Sequence, residues 1–135
     1  MSYRTVQTTC PFCGCGCGMH VPVLNDVLGQ PIPDRTHPLS QGRLCIKGWS
    51  AHEHVNSPDR LTTPLVRSGN GFREATWNEA LSLVASRLLA IRDQHGPDSL
   101  AFLCSAKCTN EENYLLQRFA RAVIGTNNID HCARL

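Results

Sequence analysis

No apolar run in this 135-residue chain approaches the ~20 residues that a membrane-spanning helix requires, so no membrane span is expected. Lysine is nearly missing: Lys47 and Lys107 are the only two, and 13 basic against 11 acidic residues leave a formal charge of +2. No basic block forms, which argues against a nucleic-acid partner. Residues Met1 to Thr9 lack both the basic start and the apolar stretch of a secretory signal. The expectation is a cytoplasmic protein, in a compartment that keeps thiols reduced. The remaining composition, 41% hydrophobic and 18% charged, is that of a globular chain of about one domain. Folding at this length should bury roughly two thirds of the accessible surface.

Against these absences stand eight cysteines. In a reducing compartment, clustered cysteines point to metal ligation or redox chemistry more than to disulfides. They fall into two populations. Cys10, Cys13, Cys15 and Cys17 crowd one segment with Cys45 downstream, while Cys104, Cys108 and Cys132 lie far along the chain.

The composition changes near residue 60, which sets the expected domains at 1–60 and 61–135. The first part is rich in Gly, Pro and Cys, with short apolar stretches such as Met19 to Leu24 that suit brief strands. A helix is expected over Lys47 to Val55, stopped by Ser57-Pro58. Leu61 to Arg67 and Phe72 to Ala75 flank an Asn70-Gly71 turn signal and should form a hairpin.

In the second part, Thr76 to Glu79 reads as a capping box, and Trp77, Leu81, Val84, Leu88 and Ile91 recur at helical spacing up to Gly96-Pro97. Leu100 to Cys104 is a continuous apolar run expected as a strand buried on both faces. A second capping box at Thr109 to Glu112 opens a helix with the stripe Leu115, Leu116, Phe119, Ala120 and Val123, ending at Gly125. A strand should return near Ile129. The fold class is therefore α/β: a small irregular β-rich domain, then the first βαβ unit of an open and incomplete α/β domain.

Cys10, Cys13, Cys17 and Cys45 read CxxCxxxC, then 27 residues (18–44), then CxKG. Four thiolates suit a tetrahedral zinc or a [4Fe-4S] cube. Structural zinc usually takes two paired knuckles, whereas here three ligands share one loop and the fourth is solitary, which favours the cube over zinc and either over disulfides. Glycines at 14, 16 and 18 give the loop conformational freedom and let amides approach sulfur. Cys15 is read as a spare thiol. Cys104, Cys108 and Cys132 are read as buried small apolar residues rather than ligands. His52 and His54, at i and i+2 on a helix, should point to different sides. Lys47, two residues beyond Cys45, is placed to offset cluster charge or pass electrons onward. The loop Ser105 to Asn110, with Lys107, lies between a strand and a helix start, where open α/β sheets bind anionic ligands such as phosphate.

The segments Cys10 to Cys17 (CPFCGCGC), Gly42 to Gly48 (GRLCIKG), Ser105 to Asn113 (SAKCTNEEN) and Phe119 to Leu135 (FARAVIGTNNIDHCARL) resemble the catalytic subunit of molybdenum- or tungsten-dependent formate dehydrogenases. The first motif is shared by the wider molybdopterin oxidoreductase family, nitrate reductases included. The resemblance implies a [4Fe-4S] cluster on Cys10, Cys13, Cys17 and Cys45. It places Lys47 as the electron relay between that cluster and a bis-molybdopterin guanine dinucleotide carrying Mo or W, with Ser105, Lys107 and Asn110 near the cofactor. It implies oxidation of formate to carbon dioxide, or the reverse, with electrons leaving to a subunit that carries further Fe-S clusters or flavin. The family's metal-ligating selenocysteine or cysteine and its catalytic histidine follow directly after the last motif. The expectation is a selenocysteine codon after Leu135, and no formate turnover by these 135 residues alone. The alternative readings are a stand-alone cluster module for electron transfer, another molybdopterin oxidoreductase such as a nitrate reductase, and a zinc-stabilised interaction domain.

Overall fold

The computed structural model describes residues 1–132, so the expectation attached to Leu135 lies outside the described residues. Two compact units form. The first gathers Met1–Arg60 and Cys104–Leu115 together with His131 and Cys132; the second gathers Leu61–Leu103 and Leu116–Asp130.

The first unit is built on a small antiparallel sheet. Strand β1 (Tyr3–Thr9) pairs along its whole length with β2 (Gly18–Leu24), from Tyr3 opposite Leu24 to Thr9 opposite Gly18. The far edge of β2 pairs with β3 (Val27–Leu28) and β4 (Ile32–Pro33). The turn into β3 is two residues, Asn25 and Asp26, both with positive φ, as a type I′ hairpin requires. Strand β2 alternates: Met19, Val21 and Val23 are buried while His20 and Pro22 are half-buried. Met19 and Val21 form a core with Cys10 and Ala51, edged by Phe12, Cys17, Leu28 and Leu44. The core thus lies directly beneath the cysteine segment. β1 itself carries no apolar alternation, and sequence reading missed it.

The helix expected over Lys47 to Val55 is two pieces, α1 (Ile46–Trp49) and α2 (Ala51–Asn56). The break is at Ser50, whose φ of −94° and ψ of 10° interrupt the helical ladder. Ser57 is extended, ψ 130°, as its position before Pro58 demands.

A buried polar network supports the sheet. Asp34, 2% exposed, accepts hydrogen bonds from the Thr36 amide at 2.8 Å, the Thr36 hydroxyl at 2.7 Å and Gln7 Nε2 at 2.8 Å, with His20 Nε2 at 3.7 Å. Its own amide donates to the Gly18 carbonyl at 3.0 Å, and Ser40 Oγ accepts from the Gly18 amide at 3.2 Å. The start of β2 is thereby held from both sides of one glycine.

In the second unit, β5 (Leu65–Ser68) and β6 (Gly71–Glu74) form the expected hairpin, with the turn one residue shorter at each side and the first strand starting at Leu65 rather than Leu61. Gly69 and Asn70 occupy the turn, with Gly69 at φ +58°, so the pair is Gly-Asn rather than Asn-Gly. Helix α3 (Trp77–His95) starts at Thr76, whose hydroxyl accepts from the Glu79 amide. The reciprocal half of that capping box is not made, because the Glu79 carboxylate pairs with Arg73 instead. After Gly96 a 3-10 turn (Pro97–Ser99) leads into β7 (Phe102–Cys104). The expectation of a strand buried on both faces is corrected here: Leu103 is 80% exposed. β7 is paired along one edge, yet among the described residues little covers the Leu103 side chain.

Helix α4 (Asn110–Arg118) runs on into a π-helical turn (Phe119–Ile124), which Gly125 ends in the left-handed conformation. The chain returns as β8 (Ile129–His131), paired with β7. Phe119 meets Phe102 edge-on, centroids 5.7 Å apart. Buried Thr126 donates its hydroxyl to Asp98 at 2.8 Å. The architecture is mixed α/β, with small sheets and helices.

The Asp34 network carries a pH dependence. The Thr36 hydroxyl and amide, then Gln7, hold the Asp34 carboxyl down to about 2, against the opposing effect of burial and with a smaller contribution from His20. A folded-state value below the unfolded one of about 3.9 stabilises fully above that pH, and the stabilisation drains away as pH falls through about 2. Urea midpoints should therefore fall between pH 5 and pH 3 in the native chain, and fall less steeply in Asp34→Asn; parallel slopes would contradict this.

Candidate functional site

The cysteine segment is the connecting loop of the β1–β2 hairpin. Cys10 follows Thr9 and Cys17 precedes Gly18, and the Cys10 amide donates to the Cys17 carbonyl at 2.8 Å, adding one closed pair beyond the sheet. Cys13 and Cys15 lie in the loop between, where Gly16 at φ +58° makes the reversal and its amide meets the Cys13 carbonyl at 3.4 Å. Of the three loop glycines only Gly16 is left-handed. A Cβ on Gly18 would strike the His37 ring at 2.5 Å, so that glycine is required by close approach instead.

Cys45 arrives from elsewhere in the sequence, in extended conformation just before α1. Its thiol is pulled below its ordinary pKa chiefly by the Gly48 amide, aided by the Lys47 amide and the Lys47 ammonium. Gly48 is buried, and a Cβ there would run into the Leu44 side chain, so any larger residue in this turn has to displace Leu44.

Cys10 and Cys17 behave oppositely. Burial pushes Cys10 up, and the neighbouring Cys45 and Cys13 push it further, while the Phe12 amide and Lys47 act against them. Cys17 is raised by burial and then by Cys10, Cys15, Cys13 and Cys45. These four expected ligands therefore sense one another, and their mutual repulsion as thiolates is what a bound cation would relieve. Half-buried Lys47 lies in the field of Cys10 and Cys45. Among the described residues no group of three or more His, Cys, Asp or Glu side chains is drawn up around a single ion. A four-iron cube asks for something different, one thiolate at each iron with amide donors to sulfur. The donor set fits it, with four cysteines on two segments and amides of Phe12, Lys47 and Gly48 directed at two of the sulfurs.

The loop between β7 and α4 belongs to the same compact unit. Ser105 is held by Asn113, whose Nδ2 donates to its carbonyl at 3.1 Å and whose Oδ1 accepts from its amide at 3.4 Å. The Ser105 hydroxyl accepts from the Lys107 amide at 3.1 Å. Asn110 Nδ2 donates to the Gly14 carbonyl of the cysteine loop at 3.0 Å. Lys107 is exposed. The capping box is complete at this end: Thr109 donates amide and hydroxyl to Glu112 Oε2 at 2.7 and 3.1 Å, and the Glu112 amide donates to Thr109 Oγ1 at 3.2 Å. Those helix-start amides are thus already engaged.

Sequence reading missed two participants. Cys132, expected to be buried, is exposed, and its sulfur accepts from the Ala106 amide at 3.3 Å and lies 3.5 Å from the Ser105 hydroxyl. These contacts, Ser105 first and then Ala106, together with Lys107, lower its pKa. Cys104 and Cys108 are half-buried. Asn113 was the other; nothing in local sequence distinguishes an asparagine that braces a loop from one that faces solvent. His54 packs edge-on against Phe12, centroids 5.6 Å apart, while His52 has its Nδ1 buried without a partner. Both border an apolar cleft of about 220 Å3 floored by Met19 and Val21.

No helix among the described residues is long and apolar enough to cross a membrane. In comparisons with known proteins, residues 3–57 match the molybdopterin oxidoreductase Fe4S4 domain and residues 60–135 match molybdopterin oxidoreductase. The F420-dependent formate dehydrogenase subunit alpha of Methanocaldococcus jannaschii is 46% identical over all 135 residues, which span 19% of that protein. Formate dehydrogenase 1 subunit alpha of Methanococcus maripaludis, also F420-dependent, is 47% identical over the same length and share. Probable oxidoreductase YjgC of Bacillus subtilis is 47% identical over 131 residues, 97% of this chain and 13% of that one. The chain thus spans less than a fifth of the length of these relatives. Acetylene hydratase from Pelobacter acetylenicus superposes with a TM-score of 0.71 at 24% identity over 93% of this chain and 18% of its own, a likeness of fold. With family models covering both parts of its sequence, the chain belongs to the molybdopterin oxidoreductase family and carries that family's Fe4S4 domain.

Proposed function

We propose that this chain forms the N-terminal part of a formate dehydrogenase catalytic subunit, with residues 1–60 as its cluster domain and 61–135 opening its cofactor domain. The observation that carries the reading is the β1–β2 hairpin loop with Cys45 and Lys47 beside it, in a chain 46–47% identical to formate dehydrogenase alpha subunits over its whole length. Cys10, Cys13, Cys17 and Cys45 hold a [4Fe-4S] cluster, and Ser105, Lys107 and Asn110 face a bis-molybdopterin guanine dinucleotide with Mo or W. When bound, these groups supply two-electron exchange with formate and one-electron transfer away from it. The reaction is formate to carbon dioxide, one proton and two electrons, or its reverse, with the electrons passed to a partner subunit bearing Fe-S clusters or flavin.

The chain's own residues have separable tasks. The hairpin loop carries three of the thiols and the segment at the Gly48 turn the fourth, within one another's electrostatic field. Lys47 supplies a fixed positive charge beside Cys10 and Cys45, which favours an additional electron there. Asn113 and Cys132 hold the loop from Ser105 to Lys107 in shape. Iron, acid-labile sulfide, pterin and Mo or W analysis of the full chain purified anaerobically, with formate-dependent dye reduction, tests the whole reading; absence of pterin would leave the cluster module as the better account.

Two substitutions refine it. Cys45→Ser should lower iron below four per chain and abolish the cluster's electron paramagnetic resonance signal, whereas Cys15→Ser should leave both unchanged; the opposite pattern would reassign the ligands. Lys47→Ala should keep native iron and pterin content yet slow formate-dependent electron transfer at least tenfold, equivalent to about 1.4 kcal/mol at the limiting step. Near-native turnover with full cofactor content would make Lys47 an ordinary surface lysine.

A further inference from the structure

A side chain joins the two loops assigned above to different cofactors. Asn110, the first residue of α4, donates Nδ2 to the Gly14 carbonyl at 3.0 Å across 96 residues of sequence. Gly14 has no left-handed φ, unlike Gly16, so its backbone conformation is open to alanine. Space is what excludes a side chain there. A Cβ on Gly14 would lie 2.5 Å from Asn110 Oδ1, 3.3 Å from its Cγ and 3.6 Å from its Nδ2, and these are the three nearest atoms it would meet.

Asn110 has little freedom to step aside. Its Cα is fixed by a helix start that Thr109 and Glu112 cap reciprocally, and its side chain has only two torsions. One turn further on, Asn113 grips Ser105 at amide and carbonyl, so the whole loop from 105 to 110 is braced. Gly14 in turn sits between Cys13 and Cys15. Because a peptide unit is planar, fixing the Gly14 carbonyl also fixes the direction of the Cys15 amide. Amide directions around the sulfurs are among the features that set a cluster's reduction potential.

We propose that Asn110 is a positioning residue for the cluster loop, matched to the missing side chain of Gly14, so that the cofactor-facing loop sets the peptide orientation between Cys13 and Cys15. This rests on the cluster reading above and assigns one of its cofactor-side residues a task at the cluster itself. An asparagine retains a second N–H and the Oδ1 lone pairs, so the latch leaves capacity for a further hydrogen bond.

The test uses the full chain purified anaerobically from its host, comparing wild type, Asn110→Ala, Gly14→Ala and the Gly14→Ala/Asn110→Ala double variant. Iron and sulfide per chain, the paramagnetic resonance spectrum of the reduced cluster and its midpoint potential are measured. Asn110→Ala should keep four irons but shift both spectrum and potential, which a residue serving only the fold of α4 would not do. Gly14→Ala should lose iron, and truncating Asn110 in the same chain should restore it to the level and potential of Asn110→Ala alone. A double variant no better loaded than Gly14→Ala, including one that fails to accumulate, overturns the proposal. So does an Asn110→Ala cluster indistinguishable from wild type. Wild-type chain with pterin but no iron and sulfide would instead defeat the cluster reading, and the latch with it.

Discussion

The bond from the Cys10 amide to the Cys17 carbonyl is the constraint on which the rest of the candidate site depends. It extends the ladder of β1 and β2 by one pair, so that two cysteines become the ends of strands and the six residues between them have to turn back within a closed ring. Strand ends in a sheet with a buried face are fixed in register, because a slip by one residue would turn Met19, Val21 and Val23 out of the core. The same slip would exchange the cysteines with their neighbours. Core packing and thiol placement are therefore one requirement met by one register. Asp34 and Ser40 reinforce it from below by holding both polar groups of Gly18, the residue next to Cys17.

Electrostatics divides the site into unequal parts. Cys10 and Cys17, at the two ends of the hairpin loop, are raised by burial and by neighbouring thiols, whereas Cys45 is lowered, by the amides of a tight glycine turn and by Lys47. Burial alone makes Cys10 and Cys17 harder to deprotonate. Bringing Cys45 from a segment with its own amide donors and cation supplies compensating charge beside them.

Much of this was legible in sequence where the determinant was local. The Thr109–Glu112 box forms in full because both partners lie within one turn of helix. The Thr76–Glu79 box has the same pattern but only half forms, since Arg73, brought close by the β5–β6 hairpin, takes the carboxylate. β1 was not legible: an edge strand exposed along its length has no apolar alternation to betray it. The helical stripe drawn through Ala120 and Val123 was half right. Ala120 is buried, but Val123 is 55% exposed and Ile124 is buried in its place, because the segment is a π-turn and its residues per turn exceed the 3.6 assumed. Cysteines were legible as a set by their spacing, while the roles of Gly14, Gly18 and Cys132 depend on neighbours far along the chain.

That π-turn also bears on how the chain tolerates changes of length. A π-turn is an α-helix with one residue more than the ladder needs, closed here by bonds from the Gly125 and Thr126 amides to the single carbonyl of Ala120. Removing one residue between Phe119 and Ile124 would return the segment to ordinary helix while leaving α4 and the Gly125 stop intact. A deletion inside α4 would instead rotate everything after it by about 100° around the helix axis. This segment is therefore where the chain can lose a residue without disturbing the phase of Asn110 and Asn113, on which the loop between β7 and α4 relies.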